Sequence, residues 1–262
     1  MEKELLNQVA IVTGGNSGIG KAISCELADR GAKVVILARN EARNKEAEKE
    51  IAEKGGQAES YSVDVSNSEA VNAAINQVYS KYGQIDILVS NAGNATPLRY
   101  STKMPIEEFE SVLKTHLFGA FNCVKACGER MRKRKYGRIV LISSVGGYHG
   151  FAGQMNYAVA KHGLVGMAYS LAKEFDGSGV TVNVVQPGII PTPMCDALIE
   201  VAKEGLPDAR IGKPEDIAYA TAFFCSPRAG FMNGTPLVID GGLVIETSVD
   251  TEIKKLLSKT EK

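Results

Sequence analysis

The sequence predicts an α/β fold: a doubly wound parallel sheet of about seven strands, flanked on both faces by helices. Three observations carry that expectation. Short apolar, β-branched runs alternate with amphipathic helical stretches from residue 9 to residue 240, the rhythm of parallel strands covered on both faces. A glycine-rich turn, Thr13-Gly14-Gly15-Asn16-Ser17-Gly18-Ile19-Gly20, joins the first strand to the first helix. The chain has 262 residues, 44% of them hydrophobic, with no internal linker, low-complexity run or solenoid period, which suits a single domain over residues 1–262.

The elements follow in order. Residues 9–13 are a β-branched strand, and 19–30 an amphipathic helix stopped by Gly31. Residues 33–38 form the second strand, and 41–54 a charged helix closed by Gly55-Gly56. A third strand over 58–63 leads to a helix over 68–82 and a fourth strand over 85–90. One long helix is expected over 106–135, then a strand over 138–142, a helix over 154–175 and a strand over 180–186. Pro187-Gly188 and Pro191-Thr192-Pro193 break the rhythm before a short amphipathic helix over 194–203. A long excursion on the ligand side of such a sheet reads as a lid over 187–214, the alternative being a surface insertion that covers core. The last strand is 237–240, and the charged tail 251–262 reads as a mobile helix end.

Charge and composition narrow the function. Thirty basic residues balance thirty acidic ones, so no net field points to nucleic acid or to a membrane. The start, Met1-Glu2-Lys3-Glu4-Leu5-Leu6, lacks an apolar signal core, and no stretch approaches a membrane span. The five cysteines are odd in number and lack CxxC spacing, which suggests reduced thiols and a cytoplasmic location. Cys123 and Cys127 share a helix face, better read as small apolar side chains than as a metal pair. His116, His149 and His162 lack ligand spacing, so no metal site is expected.

The chemistry is concentrated in one run, Asn156-Tyr157-Ala158-Val159-Ala160-Lys161. A phenol and an ammonium at i and i+4 share a helix face, and a nearby cation favours the ionised phenol. Tyr157 is therefore a candidate proton donor and acceptor near neutral pH. A glycine turn between a strand and a helix is where a dinucleotide's pyrophosphate docks. The two together suggest hydride transfer between a nicotinamide and a carbonyl.

The glycine spacing, G-x3-G-x-G, resembles the short-chain dehydrogenases/reductases, and the resemblance covers nearly all of residues 7–246. Thr13 to Gly20 matches the family's TGxxxGxG turn. Asn91-Ala92-Gly93 matches its NAG motif, with Ser90 where many members have another Asn. Ser144, Tyr157 and Lys161 match its catalytic Ser, Tyr and Lys, the serine spacing choosing Ser144 over Ser143. Pro187-Gly188 with Thr192 matches PGxxxT. Five motifs in order are specific where each alone is not.

The resemblance implies a Rossmann fold and interconversion of a ketone and a secondary alcohol. Ser144 would bond the substrate oxygen, Tyr157 would pass it a proton, and Lys161 would lower the Tyr pKa and bond the nicotinamide ribose. It places Gly14, Asn16, Ser17, Gly18, Ile19 and Gly20 on the cofactor, with Asp64 and Val65 at the adenine. Asn91, Ala92, Gly93, Pro187, Gly188, Ile190 and Thr192 complete the cofactor wall, and Gln154 joins Ser144 and Tyr157 at the substrate. The overall look is that of the 3-oxoacyl-acyl-carrier-protein reductase branch. Hydroxysteroid and general carbonyl substrates share that look. A homotetramer (or dimer) built on helices 106–135 and 154–175 and on the 240–242 region is implied as well.

One position departs from the family. His116 stands where its fourth catalytic residue, an Asn, is expected. That residue acts through its backbone carbonyl, which His keeps. The imidazole either fills the place of Asn or joins the relay, since it titrates near ~6.5. Cofactor choice turns on Ala38-Arg39-Asn40. The acid that selects NAD at the end of the second strand is replaced by Ala38, and Arg39 suits a 2′-phosphate. NADP(H) is expected over NAD(H), although Asn16 and Ser17 add no cation. The pocket wall is expected from 146–154, with Tyr148, His149, Phe151 and Gln154, and from Leu98, Ile189, Met194 and Leu198. The alternatives are an NAD(H)-dependent alcohol or sugar dehydrogenase of the same fold, and a non-catalytic cofactor-binding regulator.

Overall fold

The computed structural model describes residues 3–193 and 211–245. Seven strands form one sheet: β1 Val9–Thr13, β2 Lys33–Ala38, β3 Gln57–Ser62, β4 Ile87–Ser90, β5 Gly137–Ile142, β6 Val180–Pro187 and β7 Pro236–Ile239. Their order is β3-β2-β1-β4-β5-β6-β7 and every pairing is parallel. The chain winds outward through β2 and β3, then returns to place β4 on the other side of β1. That reversal opens a crevice at the carboxyl ends of β1 and β4, where doubly wound sheets bind ligands.

The strands read as unbroken apolar runs because both faces are covered. Val9, Ile11, Leu88, Ile139 and Leu141 face one core with Val71 and Ile75 of α3 (Ser68–Tyr82), Cys123 and Met131 of α5 (Gly119–Arg134) and Leu164 of α6 (Met155–Glu174). Ala10, Val12, Ile36, Val89 and Val140 face the other. There they meet Ile23 and Leu27 of α1 (Gly18–Asp29), Ile51 of α2 (Glu41–Glu53) and Phe224 of α7 (Pro214–Cys225). Alternate residues of one strand thus serve opposite cores, as the pleat requires.

Two elements differ from expectation. The long helix is not continuous: α4 (Ile106–Leu113) runs into a single π turn, Lys114–Phe118, before α5. There the Gly119 N–H reaches back to the Lys114 carbonyl. Two close approaches frame the bulge. A Cβ at Gly119 would stand 2.6 Å from Val65 Cγ2, and the Asn122 amide donates to the Val65 carbonyl at 2.9 Å. Helix α7 has no counterpart in the sequence reading. Its start signals are present: Pro214 at the first position, Glu215 and Asp216 in the first turn, and the Asp216 carboxylate on the Lys213 N–H at 2.8 Å. The apolar period hides it. Ile217, Ala218, Ala222 and Phe224 are buried, but Tyr219 and Phe223 on the outer side are apolar too. The expected helix over 194–203 and the tail 251–262 lie outside the described residues. Among the described residues, no helix is long and apolar enough to cross a membrane.

Candidate active site

The strand β1 ends at Thr13, and the chain enters α1 through the glycine turn. Gly14 and Gly18 hold φ of +63° and +50°, a region open to glycine at little cost. At Gly20 a Cβ would stand 2.8 Å from the Gly14 carbonyl carbon. The 91–93 loop clamps the turn from β4. Thr13 Oγ1 accepts from the Asn91 and Ala92 N–H groups at 2.9 and 3.0 Å, and Asn91 Nδ2 donates to the Thr13 carbonyl at 3.0 Å. On α2 and α3, Asn40 and Asn67 cap the first turn with side-chain oxygens at 3.0 Å. Ser17, at the start of α1, makes no such bond. The first N–H groups of α1 therefore stay open to an anion.

A cavity of about 470 Å³ lies over the carboxyl ends of the strands. Gly14, Asn16, Ser17, Gly18, Ile19 and Gly20 line its floor, and Arg39, Asp64 and Val65 one end. Asn91, Ala92 and Gly93, then Pro187, Gly188, Ile190 and Thr192, form its sides. Ser144, Gln154, Tyr157, Lys161 and His116 close the other end. Every residue assigned above to catalysis or to the cofactor thus comes to one cavity. Its shape and its open helix terminus fit a dinucleotide.

Around Tyr157 the packing is close. Ser144 Oγ accepts from the Gly146 N–H at 3.0 Å, which leaves the hydroxyl proton to donate. A Cβ at Gly146 would stand 3.2 Å from Tyr157 Cε1 and 3.5 Å from Ser144 Oγ. The two side chains flank one point. Lys161 is buried. Its Nζ donates to the Ile142 carbonyl at 2.8 Å and lies 5.4 Å from the centre of the Tyr157 ring. Ser143 turns away, donating to the Lys161 carbonyl at 2.8 Å, the backbone role read for it. Asn156 ties the start of α6 to its surroundings, with Nδ2 2.9 Å from Thr96 Oγ1 and Oδ1 2.8 Å from the Tyr157 N–H.

His116 sits in the π turn, 3% exposed. Its Nε2 lies 3.0 Å from the Asn94 nitrogen and 2.8 Å from the Asn94 oxygen. Burial pushes its pKa down to about 3; the Lys161 charge adds to that and the Asn94 bond opposes it. The ring is neutral throughout the range in which free imidazole titrates.

At the Asp64 end of the cavity Arg39 is joined by Arg43 of α2, a second cation. The glycine turn, with Asn16 and Ser17, supplies no such cation. Arg43 lies four residues beyond Arg39 in the first turn of α2, and that spacing was the available signal. Burial raises the Asp64 carboxyl, but two bonds from Ser66 and the Arg39 charge outweigh it and hold the pKa below the usual carboxylate value.

The expected pocket wall is half right. Phe151, Gln154 and Ile189 line the cavity, whereas Leu98, Tyr148 and His149 do not. The one-turn helix Val145–Gly147 sends successive side chains to different sides, so Val145 lines the cavity and Tyr148 is 58% exposed. His149 bonds the Gly150 carbonyl at 2.8 Å and packs on Phe151. Met194 and Leu198 lie outside the described residues. Ala95, Thr96, Val112 and Thr115 line the cavity as well; the sequence assigned them nothing. Among the described residues, no three metal-ligating side chains converge. Cys123 and Cys127 are core, where burial pushes both thiols up.

Residues 14–244 match a family model described as Enoyl-(Acyl carrier protein) reductase. The 3-oxoacyl-[acyl-carrier-protein] reductase FabG of Haemophilus influenzae is 40% identical over 242 residues, covering 91% of this chain and 98% of that protein. FabG of Escherichia coli is 38% identical over 240 residues, covering 90% and 97%. Among solved structures, that of gox2181 superposes with a TM-score of 0.89 at 31% identity, covering 93% of this chain and 99% of that one. Levodione reductase superposes with a TM-score of 0.86 at 29% identity, covering 92% and 99%.

Proposed function

The chain belongs to the short-chain dehydrogenase/reductase family, oxidoreductases acting on ketones and the matching alcohols, and from that premise we propose that it reduces a 3-oxoacyl thioester with NADPH. The observation that carries the reading is the convergence of Ser144, Tyr157 and Lys161 on one end of a cavity whose floor is the uncapped start of α1. The acyl substrate follows the FabG relatives, which match over nearly their whole length.

The reduced nicotinamide, when bound, supplies the hydride to the carbonyl carbon. The chain's own residues manage the oxygen. Ser144 donates its free hydroxyl proton as a hydrogen bond to that oxygen, fixing its place. Tyr157 donates a proton to it as negative charge develops, so that ketone, hydride and proton sum to the secondary alcohol. Lys161 stabilises the resulting tyrosinate by its charge and is itself held by the Ile142 carbonyl. Phe151, Val112 and Ala95 keep the reacting end apolar, which strengthens each of these interactions.

Arg39 and Arg43 together favour NADP(H) over NAD(H). Ala38 leaves no acid to repel a 2′-phosphate, and two guanidinium forks surround that end of the cavity. We read the 187–214 excursion, of which 194–210 lie outside the described residues, as a lid within a single domain of residues 1–262. Its ends are pinned to each other, Ile189 pairing with Ile211 and the Gly212 N–H bonding the Ile189 carbonyl at 3.0 Å. Phe118, Phe121, Met155, Val159 and Tyr169 leave an exposed apolar face on the π turn, α5 and α6, which suits a homotetramer or dimer of this chain. The free thiols of Cys25, Cys123, Cys127 and Cys225 suit the cytoplasm.

Nicotinamide absorbance, followed with NADPH and NADH against a 3-oxoacyl thioester, a 2-enoyl thioester and a panel of simple ketones, tests the whole reading. Fastest oxidation of NADPH by the 3-oxo compound is expected. Turnover of the enoyl compound alone would favour the description attached to the family model. Cofactor binding without oxidation by any substrate would leave a non-catalytic regulator.

A further inference from the structure

We propose that His116 is a positioning residue that ties the 91–94 loop to Tyr157, and that residue 93 is glycine in order to admit its ring. The inference rests on the reading of Tyr157 as the proton donor.

Three contacts hold the imidazole. Its Nε2 meets both the N–H and the carbonyl of Asn94, at 3.0 and 2.8 Å. In one neutral tautomer Nε2 accepts from the N–H; in the other it donates to the carbonyl. Either way the Asn94 peptide, next to the cofactor-lining Asn91, Ala92 and Gly93, is bonded to the wall of the helix. The ring also packs against Tyr157, centroids 5.5 Å apart at 85°, an edge-to-face pair. On the third side lies Gly93. A Cβ there would fall inside van der Waals contact of His116 Cε1 and 2.9 Å from each ring nitrogen. The π turn supplies the geometry. One extra residue per turn pushes the wall of the helix outward at His116. An imidazole at this place thus contacts the cofactor loop and the relay residue at once, and it stays neutral beside Lys161.

The arrangement separates into two halves that two substitutions divide. His116→Gln carries an amide to about the position of Nε2 and loses the ring against Tyr157. His116→Leu fills part of the ring volume and loses the bond to Asn94. We expect His116→Gln to lower kcat about tenfold with the Kd for NADPH moved less than threefold. We expect His116→Leu to raise that Kd about tenfold with a smaller effect on kcat. The third arm is a double-mutant cycle. Gly93→Ala, beside an intact His116, should raise the Kd for NADPH at least tenfold. Gly93→Ala combined with His116→Ala should return it to within threefold of His116→Ala alone. If Gly93→Ala does not fold, recovery of the thermal transition in the double variant decides the same point.

Parallel losses of kcat and affinity in both His116 variants, tracking a lowered thermal midpoint, would make His116 a packing residue and overturn the proposal. Additive effects in the cycle would overturn the role of Gly93. Tyr157→Phe is assayed alongside. Retained turnover there defeats the reading of the active site itself. Lost turnover there with no split at residue 116 defeats this inference alone.

Discussion

At the amino ends of β4 and β5 the polar groups are bound up with one another. Asp86, buried, accepts from the Val9 N–H at 2.7 Å, from Gln84 at 2.9 Å and from the Arg134 guanidinium. Arg138, also buried, donates to the carbonyls of Ser226, Gly179 and Pro227 at 3.2–3.3 Å. At the carboxyl side of the sheet the polar groups are held but not used up. Ser144 keeps its hydroxyl proton, and the first N–H groups of α1 have no side-chain cap. The same sheet therefore has a closed end and an open end. A closed network contributes stability through satisfied buried charges. The open end forgoes some of that stability so that its groups are free for a ligand.

The largest effect should come from the open end. Tyr157→Phe is expected to lower turnover about 10²–10⁴-fold while leaving the urea midpoint and NADPH affinity nearly unchanged. Activity within a few-fold of the parent would erase the distinction drawn between the two ends.

Next in size is the closed end. Asp86→Ala strands the Val9 N–H and the Arg134 charge, and should cost about 2–4 kcal/mol in urea unfolding with turnover per folded molecule retained. A loss under about 1 kcal/mol would show that water replaces the carboxylate and that the network is not closed.

Cofactor discrimination sharpens the picture within the open end. Replacing Arg39 or Arg43 by Ala should each cost NADPH about 1.5–3 kcal/mol, with NADH affinity little changed, as read by fluorescence titration. If neither variant narrows the gap between the two cofactors, the two guanidinium groups do not meet a 2′-phosphate.

The smallest effect is on pH dependence. His116 is held neutral in the fold down to about pH 3, whereas a free imidazole takes its proton near 6.5. As pH falls from about 6.5 toward about 3 the unfolded chain binds a proton that the native chain does not, so stability declines through that window. Urea midpoints at pH 7 and pH 4 should therefore differ less in His116→Gln than in the parent. An equal acid loss in both would mean that His116 protonates in the folded state.

Much of the fold was legible because parallel strands covered on both faces are short apolar runs, and five of the motifs are fixed backbone needs or fixed spacings. Val9–Thr13, Lys33–Ala38 and Ser68–Tyr82 have the bounds expected of them. The gathering of Ser144, Tyr157 and Lys161 with the glycine turn at one cavity was legible for the same reason. Helix α7 was not, since Tyr219 and Phe223 blur its apolar stripe. Nor was the wall of the pocket, where the direction of Tyr148 and His149 depends on a single turn of 3₁₀ helix.

By itself the sequence determined what adjacent residues decide: strand or helix, the glycine turn, and the i, i+4 pairing of Tyr157 with Lys161. The tertiary structure alone decided what depends on the distance between remote segments. It brought Ala95, Thr96 and Val112 to the cavity wall, broke the long helix at Lys114–Phe118, and placed His116 between Gly93 and Tyr157. The physical reason is that hydrophobic period and backbone preference act over a few residues. Burial, close approach and the neutral state of a histidine are set by whatever the packed chain brings within a few ångströms.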